Sequence, residues 1–306
     1  MFRISNPQIA GVGFKIASAL IFTVMGALIK EVGATYPTGQ VVAFRSLFAL
    51  IPLVIFLRWQ GDLHSALKTD RLSGHILRGG IGVIAMFLNF AGIARLPLAD
   101  ATAIFYAAPI FTVALAALLL KEKVRLYRWT AVAIGFFGVV LTLLPHLGEG
   151  AAGQDTQMLG AMFALAAAAV SGFAMIQVRR LTETEPTGSI VLYFSLTSAF
   201  FGFLTLPFGW VWPTHEEYLI LIGIGILGGM AQICMTQSFR LGDASLIAPF
   251  EYSSMLFALL IGYFAFGDVP APLVIIGAAI ILSAGIFVIL RERALGIRRN
   301  RAANTE

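Results

Sequence analysis

Charged residues are scarce in this chain. Only 12% of its 306 residues are Asp, Glu, Lys or Arg, about half of the ~25% found in soluble domains. In contrast, 58% are hydrophobic and the mean hydropathy is +0.88. Uncharged apolar runs at 101–120, 159–178 and 218–239 each approach the ~20 residues with which a helix crosses a bilayer, and exceed the ~9–11 residues of a barrel strand. The composition excludes an ordinary soluble protein and predicts an all-α integral membrane protein.

Motifs that carry chemistry are also rare. Cys234 is the single cysteine, so an intrachain disulfide is excluded. The sequence has neither a GxxxxGK[ST] phosphate loop nor an HExxH zinc motif, which argues against ATP as the energy source and against a zinc hydrolase. We predict no catalytic residue, no metal site and no cofactor. All four histidines are expected in loops or at segment ends: His64, His75, His146 and His215.

Charged and Pro/Gly clusters divide the chain into ten apolar segments. No small-residue cleavage site of the secretory type accompanies the first segment, so we interpret it as a retained helix and not as a signal peptide. The segments are predicted at 14–31, 40–57, 77–94, 100–120, 128–144, 159–178, 189–207, 218–239, 244–267 and 272–290.

The basic residues follow the predicted topology. If the N-terminus is cytoplasmic, 18 of the 21 Lys and Arg residues fall on the cytoplasmic side, and the exceptions are Lys30, Arg45 and Arg95. This bias is what the positive-inside rule requires. We therefore expect a multi-pass protein of the bacterial cell inner membrane with both termini in the cytoplasm. The basic tail at 291–306 is then a topology signal, and no nucleic-acid partner is predicted.

The two halves of the sequence resemble each other. The stretch "YPTGQVVAFRSL" (36–47) matches "EPTGSIVLYFSL" (185–196) at six positions. The later stretches "KEKVRLYRWTAVAIGFFGVV" and "GDVPAPLVIIGAAIILSAGI" are also alike, with Glu122 opposite Asp268. Since each half has five segments, an odd number, the second half must be inverted relative to the first. We predict two inverted five-helix repeats, at 14–144 and 159–290, an arrangement typical of secondary transporters.

The chain also resembles a known family. The stretches "AFRSLFA", "LPLADATAIFYAAPIFTVALAALLLKEKV", "APFEYSSMLFALLIGYFAFGDVP" and "RER" are similar to those of the drug/metabolite transporter superfamily, EamA type, over roughly residues 14–290. The resemblance implies ten helices and secondary transport. "PFEY" and "RER" look most like bacterial members that take up riboflavin or S-adenosylmethionine, whereas other members export amino acids or toxic cations.

Arg45 is the most unusual residue of the second segment. An arginine at the centre of a membrane helix costs about 2.5–3.5 kcal/mol on insertion scales. It either snorkels outward, as a structural anchor, or faces a cavity between the halves. Phe194 occupies the matching position of the second repeat, so the fold itself does not demand the charge there.

Glu251 is the second deep charge and our candidate for proton coupling, because a carboxylate at that depth must be neutralised, hydrogen-bonded or paired. Pro109 and Pro249 interrupt corresponding helices of the two halves, and such breaks point to transporter sites; simple packing kinks remain the alternative. Uncharged polar residues are more often helix–helix hydrogen bonds than ligands. The substrate-binding candidates, with Arg45 and Glu251, are Asn89, Tyr106, Gln177, Gln232 and Tyr252.

Together these features predict a transporter of a small polar or zwitterionic metabolite, working by alternating access around a central cavity. Riboflavin-like and S-adenosylmethionine-like compounds are the first candidate substrates, followed by amino acids. An exporter of toxic organic cations is the alternative substrate class. A non-transporting scaffold or an intramembrane enzyme is the alternative function class. The expected partners are the small-molecule substrate and the lipid bilayer, and a homodimer stays open.

Overall fold

The fold is a bundle of α-helices. The computed structural model describes residues 7–61, 66–119, 126–146, 154–182, 184–241, 250 and 252–303, and within these ranges it contains helices and turns but no strand. The helices are α1 Pro7–Val32, α2 Thr38–Phe48, α3 Leu50–Gln60, α4 Leu72–Ile93, α5 Leu98–Phe105, α6 Ala108–Leu119, α7 Leu126–Leu143, α8 Gln154–Thr182, α9 Thr187–Phe203, α10 His215–Leu241, α11 Ser253–Phe266 and α12 Pro272–Ala303.

These helices make ten membrane-crossing segments, as the sequence predicted. Five are apolar helical spans of 22–24 residues, long enough to cross a bilayer, and five shorter apolar helices complete the set. The tenth was predicted to end at 290, but α12 continues to Ala303. The Arg, Ala and Leu residues after 290 favour helix strongly, so much of the basic tail extends this helix.

Within the described residues two of the segments are interrupted, and prolines explain both interruptions. Pro52 lacks the N–H that would bond to the carbonyl of Phe48, and α2 gives way to α3 at Ala49. Similarly, Pro109 cannot bond to the carbonyl of Phe105, and the chain turns between α5 and α6. Pro109 itself lies in the first turn of α6, where a proline costs no intrahelical hydrogen bond.

Contacts between helices repeat when the two halves are exchanged. Helix α1 packs on α10, and its counterpart α8 packs on α4; the related helices α2 and α9 pack on each other, as do α7 and α12. The glycines near the N-termini of α2 and α9 are both in close contact with the other helix or the segment that follows it. A methyl group at Gly39 would collide with Thr205, and one at Gly188 would lie 2.7 Å from Leu57. These paired close approaches are what an approximate two-fold axis between α2 and α9 produces.

The two largest apolar clusters of the described interior lie in different parts of the bundle. One joins α1, α2, α4, α9 and α10 and includes Met25 and Phe194. The other joins the region of α5 and α6 with α7, α8, α11 and α12 and includes Tyr106 and Met255. We call the end of the bundle where α1 begins and where α3 ends, with Arg58 in its last turn, the basic end. The other end of the bundle is called the opposite end.

Candidate functional site

Arg45 lies inside the bundle. Its residue is only 5% exposed, and its Nε has no hydrogen-bond partner among the described residues. A methyl group at Gly228, which is near the middle of α10, would lie 2.9 Å from this Nε. The side chain therefore projects towards the centre of the bundle, and this packing does not agree with the snorkelling interpretation.

Arg78 reaches the same place from the opposite direction. It lies in the second turn of α4, but a methyl group at Gly82, one turn further along, would collide with its Nη1. Its Nε and Nη1 are buried and have no partner among the described residues. From the sequence, Arg78 is counted among the basic residues of the cytoplasmic side. The difference arises because a long side chain at a helix end can fold inward as well as outward.

Phe194 joins the two arginines. The Cζ of Arg78 lies 4.0 Å from the centroid of its ring, and the Cζ of Arg45 lies 5.9 Å from it. Both distances are within the ~6 Å at which a cation is attracted to an aromatic face. Arg45 and Phe194 hold matching positions in the two repeats, so the approximate axis brings each position against its own counterpart. We call Arg45, Arg78 and Phe194 the arginine site.

A second polar group lies between the α5–α6 turn and the start of α11. The ring of Tyr106, in the turn between α5 and α6, packs edge-on against Tyr252 with centroids 5.3 Å apart. Its hydroxyl is 2.5 Å from Oγ of Ser254 and donates a longer bond of 3.5 Å to the Tyr252 carbonyl. Two predicted residues, Tyr106 and Tyr252, are thus brought together across the halves.

The remaining predicted residues lie on α4, α8 and α10 or outside the described part of the chain. Gln177 is buried on α8, whereas Asn89 on α4 and Gln232 on α10 are half-buried. In the described part of the chain, no hydrogen bond joins these three to the arginine site. Glu251 and Pro249 lie outside the described residues, so their assignment stays a prediction from the sequence.

An ion pair joins the halves at the opposite end of the bundle. Lys30, near the end of α1, forms a salt bridge with Asp268, just after α11, and both side chains are about one-fifth exposed. The ammonium group also lies 4.6 Å from the ring centroid of Phe266. Because the pair is partly hydrated, its net contribution to stability is small, about 0–1 kcal/mol.

A more deeply buried pair joins the halves at the basic end. Nε2 of His75 lies 3.3 Å from Oε2 of Glu185, and the two side chains are 1% and 3% exposed. The imidazole stacks on Tyr193, whose hydroxyl donates to the Leu67 carbonyl. Burial alone would raise the pKa of Glu185, but hydrogen bonds from His75 and Thr69 and the nearby imidazole outweigh it, so the pKa is below its ordinary value.

The comparisons with known proteins agree with this architecture. A model of the EamA-like transporter family matches residues 9–144 and, a second time, residues 158–291. This chain belongs to the EamA-like transporter family. Each match covers five of the membrane-crossing segments, so the inverted five-helix repeat seen in the contacts is the repeat of the family. The predicted fold class and the predicted family are confirmed.

Three curated relatives indicate the range of the EamA-like proteins around this chain. It is 30% identical to an S-adenosylmethionine uptake transporter of Rickettsia bellii, over 92% of this chain and 94% of the relative. It is 27% identical to a pseudopaline exporter of Pseudomonas aeruginosa, over 90% and 95%, and 25% identical to a riboflavin transporter of Vibrio cholerae, over 93% and 94%. All three are membrane transporters, but their names differ in both substrate and direction.

A solved crystal structure shares the fold of this EamA-like chain. It superposes with a TM-score of 0.65 at 21% identity and covers 94% of this chain and 99% of the other. At this identity the likeness concerns the fold alone.

Proposed function

We propose that this EamA-like protein is a secondary transporter of a small polar or zwitterionic metabolite, with S-adenosylmethionine-like compounds as the first candidates. Riboflavin-like compounds and amino acids follow. The bundle would expose a central site to each side of the bacterial inner membrane in turn, as the two repeats rock against each other.

One observation carries the proposal: a buried arginine, Arg45, projects to the middle of the bundle where the two repeats meet. A charge there costs free energy, and a bound substrate can offset that cost. The 30% identity to an S-adenosylmethionine uptake transporter supports the substrate class. The site is cationic, which favours a substrate with an anionic group over the alternative of an organic cation that has none, because like charges repel.

Uptake into proteoliposomes tests the proposal. Purified protein is reconstituted, and the accumulation of radiolabelled S-adenosylmethionine is compared with that in protein-free vesicles. Unlabelled S-adenosylhomocysteine, methionine, adenosine and riboflavin then serve as competitors. We expect saturable uptake that compounds with an amino-acid group inhibit most strongly. Equal accumulation in both vesicle preparations, for the whole panel, would reject the substrate class.

The orientation is part of the same proposal. The basic end holds Arg58 and Arg71, so it should face the cytoplasm together with both termini. In a Cys234→Ala background, single cysteines at Lys68 or Arg299 are expected to resist a membrane-impermeant reagent added to intact cells. A cysteine at Trp212, which is 89% exposed at the opposite end, is the matched control that should be labelled. Labelling of the first two positions from outside contradicts the orientation.

A further inference from the structure

We propose that Arg45 and Arg78 form one anion-binding subsite that holds the carboxylate of the transported molecule, with the Phe194 ring fixing the position of both guanidinium groups. This inference deepens the proposed function and rests on it for the substrate class. It adds Arg78, a residue that the sequence did not indicate as a binding residue. It also names the chemical group of the substrate that the two arginines bind, a carboxylate.

The first argument is the unbalanced charge. Both guanidinium carbons lie within 6 Å of the centroid of the Phe194 ring, so two positive charges share one small volume near the middle of the bundle. The ion pairs among the described residues that join the halves, Lys30–Asp268 and His75–Glu185, involve neither arginine. Two like charges in an apolar interior are costly unless an anion accompanies them.

The second argument is the orientation of the donors. Three buried N–H groups lack an acceptor among the described residues: Nε of Arg45, and Nε and Nη1 of Arg78. Guanidinium groups present their donors in a planar fork that matches the two oxygens of a carboxylate. Three unused donors from two helices are therefore a ready set of partners for one carboxylate.

The third argument is the shape of the surrounding backbone. Helices α4 and α10 each present a glycine to an arginine, and a side chain at Gly82 or Gly228 would collide with or crowd the guanidinium group. A methyl group at Gly82 would also lie 2.8 Å from the Phe194 ring. Other glycines of the same helices, Gly80 and Gly223, have open space around them. At Gly79, Gly225 and Gly229 a methyl group would be equally crowded by other neighbours, so close packing is common on α4 and α10; at Gly82 and Gly228 the neighbour is an arginine of the site.

These arguments predict discrimination between a compound with a carboxylate and a counterpart in which that group is absent or converted to an amide. The purified protein is heated in a buffer free of carboxylate anions, with S-adenosylmethionine or its decarboxylated analogue, and with methionine or methioninamide. We expect the carboxylate member of each pair to raise Tm and the other member to have little effect. Arg78→Met should abolish the difference, while Arg58→Met, at an exposed arginine of α3, should retain it.

A second measurement separates a binding role from a structural one. Without ligand, Arg78→Met removes one of two buried like charges, so we expect Tm to rise by about 2–4 °C. A structural arginine paired with a carboxylate of the chain would behave in the opposite way, because its removal leaves that carboxylate unpaired. Gly82→Ala should weaken the carboxylate effect by displacing Arg78, and Gly80→Ala should not.

The outcomes are distinct. Carboxylate discrimination that depends on Arg78 upholds the subsite even if vesicles fail to accumulate S-adenosylmethionine, a failure that would reject only the proposed substrate. A fall in Tm on Arg78→Met, or equal stabilisation of the wild type by carboxylate and amide, overturns the subsite.

Discussion

The two repeats share a helical plan, but they contribute different chemistry at the centre. The first repeat supplies Arg45 and Arg78, and the second supplies the apolar ring of Phe194 between them. The contacts of the helices themselves repeat when the halves are exchanged. The packing of the helices is therefore symmetric, whereas the side chains at the centre are not. Residues that differ between the repeats at matching positions are those that the packing of the helices does not require.

The largest effect is expected when Arg45 is replaced by an apolar residue, since the second repeat has the apolar Phe194 at the matching position. Arg45→Leu is expected to abolish uptake, and Arg45→Lys to lower substrate affinity at least several-fold, because lysine lacks the planar fork of guanidinium. Binding and uptake are measured side by side in proteoliposomes. Arg95→Lys, at an arginine bonded to the Ala91 carbonyl, is the matched control. A fully active lysine variant would mean that substrate binding does not depend on the planar fork of Arg45.

Glu251 tests the contribution of the second repeat. It lies outside the described residues, and its role is proposed from the sequence as the proton carrier of a coupled cycle. We expect Glu251→Gln to impair uptake, to leave membrane insertion intact and to remove the pH dependence of the remaining flux. Uptake across a range of external pH, normalised to the amount of protein in the membrane, measures this. Normal flux with an unchanged pH profile would remove Glu251 from the mechanism.

Phe194 offers a milder test from the same repeat. Phe194→Leu keeps an apolar side chain but removes the aromatic face, whose attraction for a cation is worth about 0.5–2 kcal/mol. Substrate affinity should therefore fall about 2–30-fold. Phe200→Leu, on the same helix at a residue 61% exposed, should bind as the wild type does. Equal affinities for the two variants would mean that the ring has no part in positioning the arginines.

The smallest effect is expected at the contact between the repeats at the basic end. The pKa of Glu185 is below its ordinary value in the folded protein, so the unfolded chain binds protons first as the pH falls. The stabilisation is therefore present above the ordinary carboxyl pKa and is lost as the pH falls through the folded pKa. Tm of wild type and Glu185→Gln, measured between about pH 7 and pH 4, should converge in acid.

A matched variant isolates that effect. Glu216→Gln removes an exposed carboxylate at the start of α10 and should run parallel to the wild type across the same pH range. If Glu185→Gln also runs parallel, the buried pair does not contribute to the pH dependence of stability.

The sequence was sufficient to predict the ten segments and the repeat, because the length of apolar runs and the similarity of the two halves can be read from the residues without knowledge of tertiary packing. It was less informative about the site. Arg78 stands at the start of its predicted segment, so its charge was attributed to topology. The nearby glycines of "RGGIG" (78–82) were the available sign that the side chain could lie along its own helix. The pairing of His75 with Glu185 joins residues 110 positions apart, and only tertiary packing reveals it.

Phe194 beside Arg45 also has a consequence for the ancestry of the chain. If the two repeats descend from one five-helix chain that worked as a dimer, both copies of the position on the axis were the same residue, as in any isologous contact. An arginine would then have faced a second arginine, and a phenylalanine a second phenylalanine. Only after duplication let the two copies diverge could a cation and an aromatic ring face each other there. The mixed pair is a property that duplication made accessible.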